Sequence, residues 1–154
     1  MPMRYPYLHE FTKLMEIEAE SFSEKDIWEP EVYLDILASG GECWVITEGL
    51  GSDKIVGQIW VQPMDEEGEP DVLEVVSLSV SPEARRRGFA KQMMESVVNY
   101  ADTNLMKSVS LHVREDNTAA RILYEKLGFS VFKRVKKYYT DKSDAIVYRK
   151  DLTK

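Results

Sequence analysis

Val80-Ser81-Pro82-Glu83-Ala84-Arg85-Arg86-Arg87-Gly88-Phe89-Ala90-Lys91 is the stretch on which the reading of this 154-residue chain turns. Just upstream, Leu73-Glu74-Val75-Val76-Ser77-Leu78-Ser79-Val80 is rich in β-branched residues and stops at Ser81-Pro82, the pattern of a central strand. Downstream, apolar residues recur every four positions at Phe89, Met93, Val97, Ala101 and Leu105, with Ala90, Met94 and Val98 beside them, which predicts a long amphipathic helix. The quoted stretch is therefore a strand-to-helix junction. A helix N-terminus carries unsatisfied N–H groups and a partial positive charge, so it attracts anions. Gly88 and the small Ala90 let the backbone approach a ligand, and three arginines add bidentate donors suited to phosphate. There is no GK[ST] and no GxGxxG, which disfavours nucleoside triphosphate hydrolysis and dinucleotide binding. Taken alone, the string reads equally well as a charged helix start with solvated arginines.

Working outward, the first helix is expected from about Leu8, with Phe11, Leu14, Met15, Ile17 and Phe22 along one side. Pro30 suits the first turn of a second helix carrying Val32, Tyr33, Ile36 and Leu37, which Gly40-Gly41 stops. Cys43–Thr47 and Lys54–Gln62 read as strands joined by a Gly-Ser-Asp turn, and Asp65 to Asp71 as a solvated loop. After the junction come a strand alternating at Val109, Leu111 and Val113 and a helix from Thr118 to Lys126 with Gly128 at its C′ position. Two last strands are expected at Val131-Phe132 and Ile146–Leu152. The order α-α-β-β-β-α-β-α-β-β describes an α/β or α+β domain with a mixed sheet, and the length suits one domain over residues 1–154.

Charge is unevenly spread. Residues 1–82 hold 4 basic and 18 acidic side chains, whereas residues 83–154 hold 16 basic and 9 acidic ones, within a net charge of −7. The net sign argues against general nucleic-acid binding, which needs a basic face. Cys43 is the only cysteine, so no internal disulfide or CxxC framework exists, and its setting beside Trp44 predicts a small buried thiol. The N-terminal MPMRYPYLHEF lacks the layout of a secretory signal, and no apolar run reaches the roughly 18 residues needed to cross a bilayer. A cytoplasmic location without membrane attachment is expected.

A second motif follows the first. Leu111-His112-Val113-Arg114-Glu115-Asp116-Asn117 leads into Ala119-Ala120-Arg121-Ile122-Leu123-Tyr124-Glu125-Lys126-Leu127-Gly128-Phe129. Arg85 to Ala90 resembles the Q/R-x-x-G-x-G/A signature of the GNAT superfamily of acetyl-CoA-dependent N-acetyltransferases. The later run resembles that superfamily's L-x-V-R-x-x-N-x-x-A-x-x-L-Y-x-x-x-G-F pattern. Within the superfamily the likeness is greatest to protein N-terminal (α-amino) acetyltransferases, including the ribosomal-protein alanine type. It covers about residues 72–150, and the first seventy agree only in layout.

The resemblance implies a mostly antiparallel mixed sheet whose central strands splay at the acetyl-CoA site, and it assigns roles. The backbone of Leu78-Ser79-Val80 would pair with the pantetheine arm. The loop of Arg85, Arg86, Arg87, Gly88, Phe89 and Ala90 would hold the pyrophosphate through its N–H groups. Asn117 would meet the pantetheine, although N-T-A-A-R is also a good helix start, so a plain N-cap competes. Tyr124 would sit by the thioester sulfur and protonate the departing thiolate, against a core aromatic as the plainer role. No metal is implied.

Acetyl transfer to an amine also needs a base. A peptide amino terminus has a pKa near 7.7–8.0, so a modest base suffices. Glu74, fourteen residues before Gly88, occupies the strand position where relatives carry a substrate-facing tyrosine, histidine or acid. His112 stands where many relatives have glutamate, and an imidazole titrates near neutrality, though a hydrogen-bonded structural histidine is the ordinary alternative. The choice between the two stays open.

Tyr138 and Tyr139, ahead of Asp144-Ala145, resemble the family's "YY…DA" element that contacts the first residues of the substrate. Phe22 and Trp28 fall where these enzymes present aromatics to the substrate, but the usual F-x-x-P-W is stretched and lacks its proline. The function expected is acetyl transfer to protein or peptide N-termini. Small amines such as polyamines, lysine side chains and non-catalytic acyl-CoA binding are the alternatives, and monomer versus homodimer is left open.

Overall fold

In the computed structural model, residues 3–21, 28–66 and 69–152 are described. Among these described residues, seven strands and four α-helices follow in the order β1 (Met3–Arg4), α1 (Phe11–Ser21), α2 (Pro30–Ala38), β2 (Glu42–Thr47), β3 (Ile55–Glu66), β4 (Glu69–Val80), α3 (Phe89–Thr103), β5 (Ser108–Arg114), α4 (Thr118–Lys126), β6 (Ser130–Val135) and β7 (Ala145–Asp151). Short 3-10 turns precede α1 and α3. The strand order is β1-β2-β3-β4-β5-β7-β6, antiparallel at β1/β2, β2/β3, β5/β7 and β6/β7 and parallel at β4/β5. This is the mixed, mostly antiparallel α/β sheet that the sequence led us to expect.

Three features differ from that reading. The two-residue β1 pairs Met3 with Ile46 and Arg4 with Val45, and is too short for any periodicity to announce it. The first helical turn at Leu8 is 3-10, and the α-helix starts at Phe11. The acidic stretch after Gln62, expected as a loop, is largely strand, since β3 runs to Glu66 and β4 begins at Glu69. Neighbouring strands supply backbone partners that override a poor local strand propensity.

The chain forms two compact units: Met1–Gln62 with Ser77–Met94, and Pro63–Val76 with Glu95–Lys154. In the first, Leu14 and Ile17 of α1, Tyr33 and Ile36 of α2, and Val45, Ile46, Ile59 and Trp60 of β2 and β3 are buried, with Phe89, Met93 and Met94 from the start of α3. In the second, Val97 and Ala101 of α3 are buried, as are Val109 and Leu111 of β5, Phe129, and Ile146 to Tyr148 of β7. The parallel β4/β5 ladder has four pairs, from Val72↔Ser108 to Val75↔Leu111. β4 continues to Val80 and β5 to Arg114 beyond the paired positions.

Candidate active site

In the first unit, the end of β4 is anchored to β3 by the Ser81 N–H, which donates to the Val56 carbonyl at 2.8 Å. A 3-10 turn over Pro82–Ala84 follows, and α3 opens at Phe89. Gly88 takes φ +84, a left-handed conformation that costs glycine little. Arg86 takes φ +64, which an L side chain adopts at a cost of about 1–2 kcal/mol. The first α3 hydrogen bond runs from Gln92 N–H to the Gly88 carbonyl at 3.0 Å, so the N–H groups of Phe89, Ala90 and Lys91 precede any intrahelical acceptor. A Cβ built on Gly88 meets nothing within 4 Å. Open space in front of a glycine at a helix N-terminus fits a diphosphate held by backbone.

Two of the three arginine side chains make contacts within the first unit. Arg85 Nε donates to the Val80 carbonyl at 3.0 Å, and its terminal nitrogen donates to the Glu20 carbonyl and Ser21 Oγ, both at 3.3 Å. A cation beside the last carbonyls of α1 is favourably placed against that helix's negative end. Arg87 lies 3.5 Å from Glu48 and covers the Phe89 ring. What the junction offers an anion is therefore chiefly backbone. Of the two aromatics expected near the substrate, Trp28 is half-exposed and tilts against Tyr33 at 5.7 Å, while Phe22 lies outside the described residues.

The first unit also contains a group that the sequence reading passed over. Glu18 of α1 is 1% exposed, and its carboxylate accepts from Ser77 Oγ (2.9 and 3.0 Å), Ser79 Oγ (3.0 Å) and the Tyr33 hydroxyl (3.1 Å). Burial pushes this carboxyl above the usual range, opposed by the three hydroxyl donors. The signal was legible, because Glu18 follows Leu14 by four positions and Ile17 by one, placing a charge on the apolar stripe of α1. Cys43 is buried as expected, and desolvation, then the Glu18 charge, pushes its thiol up, away from the reactive thiolate.

In the second unit, register decides which side chains share a face. Glu74 pairs with Ser110, and Ser110 with Arg149, so these three point one way, and His112, two residues along β5, joins them. Val75, Leu111 and Tyr148 point the other way. The two candidate bases thus lie on one face. Tyr138 joins them: its ring stacks on His112 at 4.7 Å and 16°, and the Glu74 charge, after burial, raises its hydroxyl pKa. Tyr139 meets Tyr138 edge-on at 5.0 Å and is itself covered by Arg114, which pairs with Asp141 at 2.9 Å. Asp144 accepts from the Lys137 N–H at 3.0 Å, where Lys137 takes φ +55, and so fixes the turn that aims Tyr138.

Tyr124 belongs to the opposite face. It is buried on α4 between Phe129 (6.2 Å) and Tyr148 (6.1 Å), and desolvation pushes its hydroxyl up to about 12. The Asn117 side-chain oxygen caps α4 by accepting from Ala120 N–H at 3.2 Å, one of its two expected roles, which are compatible. Among the described residues, no group of three or more His, Cys, Asp and Glu could hold a metal ion, and no helix is long and apolar enough to cross a membrane.

A model of the acetyltransferase (GNAT) family matches residues 8–129. The chain belongs to that family. The N-terminal acetyltransferase B complex catalytic subunit NAA20 of Arabidopsis thaliana is 33% identical over 123 residues, which cover 79% of this chain and 70% of that protein. The N-alpha-acetyltransferase daf-31 of Caenorhabditis elegans is 37% identical over 102 residues, 65% of this chain but only 56% of daf-31. Among solved structures, the ribosomal-protein-S18-alanine N-acetyltransferase from Escherichia coli superimposes with a TM-score of 0.85 at 20% identity, over 99% of this chain and 94% of its own. That likeness is one of fold. In this GNAT acetyltransferase, one unit carries the strand-to-helix junction with Gly88 at positive φ, and the other carries titratable groups divided between two faces of the strands.

Proposed function

We propose that the chain transfers the acetyl group of acetyl-CoA to the α-amino group of protein or peptide N-termini. The observation that carries the reading is the cluster of Glu74, His112 and Tyr138: two candidate bases on one strand face, with an aromatic stacked on one and sensing the charge of the other. Tyr138 is 48% exposed, so its ring can meet a peptide as well as His112. NAA20 and daf-31 are both named for N-terminal acetylation, which supports the same choice of acceptor.

Acetyl-CoA, when bound, supplies the activated thioester. The backbone from Arg85 to Ala90 holds its diphosphate, Leu78-Ser79-Val80 align its pantetheine arm, and Asn117 adds a side-chain contact. The acceptor amine attacks the thioester carbonyl, a C–N bond replaces the C–S bond, and Glu74 or His112 takes the amine's proton. Tyr124 offers its hydroxyl to the departing sulfur. A hydroxyl near 12 is a weaker acid than an ordinary thiol at about 8.5, so Tyr124 stabilises the thiolate by hydrogen bonding and does not give up its proton. Tyr138 and Tyr139 meet the first residues of the acceptor, and Trp28 is the aromatic that the resemblance adds on that side.

Thiol release from acetyl-CoA, followed with a panel of N-terminal peptides, an N-blocked lysine peptide and spermidine, tests the proposal. The fastest turnover is expected on a free peptide N-terminus. Faster turnover on spermidine or on the blocked lysine peptide would overturn the choice of acceptor.

A further inference from the structure

Glu18 takes no part in the chemistry outlined above, yet it is the buried carboxylate of the first unit and is accounted for by three hydroxyl donors. A buried charge is expensive unless its hydrogen bonds are complete, and an apolar residue of similar size would cost the fold less. The donors come from two directions. Ser77 and Ser79 flank Leu78 on the last stretch of β4, beyond the β5 ladder, where the backbone would align pantetheine. Tyr33 comes from α2, where its ring is buried between Trp60 (5.1 Å) and Trp28 (5.7 Å). Arg85 adds a second tie between the same elements, bridging the Val80 carbonyl at the end of β4 to the Glu20 carbonyl at the end of α1.

We propose that Glu18 is a positioning residue whose carboxylate sets two things at once: through Ser77 and Ser79 the cofactor strand, and through Tyr33 the Trp28 ring on the acceptor side. The proposal rests on the reading that β4 aligns acetyl-CoA, and is independent of which amine accepts. Glu18 touches neither reactant. One rigid acceptor holding both arms keeps the end of β4 and the Trp28 ring in one geometry.

The arms can be cut separately. Acetyl-CoA affinity is read by calorimetry, which needs no acceptor, and acceptor KM is read with the best substrate of the panel. Glu18→Met, close in size, leaves three hydroxyls unpaired and is expected to weaken acetyl-CoA binding about tenfold and to raise acceptor KM. Ser77→Ala with Ser79→Ala is expected to weaken acetyl-CoA binding about fivefold with acceptor KM unchanged. Tyr33→Phe is expected to raise acceptor KM and leave acetyl-CoA affinity alone. Glu18→Gln, which keeps an acceptor oxygen while the hydroxyls can reorient toward its amide, should stay within about threefold of wild type on both measures.

A folded Glu18→Met protein with wild-type affinity for acetyl-CoA would overturn the proposal, as would equal effects of the two arms on both measures. If Glu18→Met does not fold, the serine pair and Tyr33→Phe, which leave the apolar core intact, decide it. A wild-type protein that binds no acetyl-CoA would overturn both this proposal and the underlying assignment of β4. Normal wild-type binding with no response in any variant would sink the role of Glu18 alone.

Discussion

The two units use the same kinds of side chain in opposite ways. In the first, a carboxylate, two serines, a tyrosine and an arginine are spent on one another or on backbone, and the surface left for an anion is a row of N–H groups beside Gly88. In the second, a carboxylate, an imidazole and a tyrosine gather on one face of the strands, half-buried or exposed, with the buried Tyr124 on the other. Burial marks the difference. Glu18 is buried under three hydroxyl donors, whereas Glu74 is only partly buried. On the proposed function, the first unit grips the cofactor and the second carries the chemistry. Variants at Tyr124, Glu74 and His112 should therefore act on kcat, and variants at the end of β4 and at Gly88 on acetyl-CoA affinity.

Tyr124→Phe should break the reacting half most severely. Loss of one preorganised donor to a departing thiolate is expected to lower kcat about a hundredfold while leaving acetyl-CoA affinity within about twofold. Stopped-flow or steady-state thiol release beside calorimetry measures both. An equal loss in affinity would move Tyr124 from reaction to grip. The two bases come next. Glu74→Gln and His112→Ala are each expected to lower kcat/KM, and whichever residue accepts the amine's proton should cost about ten- to a hundredfold and abolish the acid limb of the pH–rate profile. If both limbs survive in both variants, water serves as the base and the cluster only positions the acceptor. Tyr138→Leu sharpens the choice, since removing the stacked ring should alter the pH–rate profile further if His112 is the base than if Glu74 is.

How legible this was in the sequence depended on whether a feature was local. The helix from about Thr118 to Lys126 is legible because Asn117 and Gly128 punctuate it, and α3 is legible from an apolar repeat of four. The two motifs and the Tyr-Tyr element brought Glu74, His112, Tyr124 and Tyr138 into view but not their partition between faces, because that follows from β4/β5/β7 register and register is a property of paired strands. The contacts of Arg85 were hidden for a similar reason, since its partners at Glu20 and Ser21 lie more than sixty residues upstream. Asp144 was read as part of a substrate element and proves to anchor the turn before Tyr138. Glu18 could have been found from its place on an apolar helix stripe; its partners, some sixty residues away, could not.

The gripping half can be loosened without touching a side-chain ligand. Gly88→Ala forces an L residue into φ +84 and puts a methyl into the open space before the α3 N-terminus. The backbone cost is about 1–2 kcal/mol, and acetyl-CoA affinity is expected to fall about fivefold to tenfold as the loop relaxes or the methyl meets the ligand. Because the substitution leaves Tyr124, Glu74 and His112 alone, kcat at saturating acetyl-CoA should hold. A fall in kcat with unchanged affinity would show that the loop governs the chemistry and would dissolve the division between grip and reaction.

The smallest effect should come from an ion pair that serves neither. Glu10 accepts two hydrogen bonds from Arg4, each at 2.8 Å, and one from the Tyr7 N–H at 2.7 Å, and these hold its carboxyl at about 2. A carboxyl depressed in the folded state contributes stability above its unfolded value near 4.5, and that contribution drains away as the pH falls toward 2. Glu10→Gln should therefore lower the thermal midpoint at pH 7, and the gap from wild type should close between about pH 4.5 and 2. Acetyl-CoA affinity and kcat at pH 7 should match wild type, since Arg4 belongs to β1 and is tied by its strand pairing to Val45 rather than to the cradle. A gap that stayed constant down to pH 2 would mean that Glu10 acts through packing and not through its charge. A shift in acetyl-CoA affinity would extend the gripping surface to the far edge of the sheet.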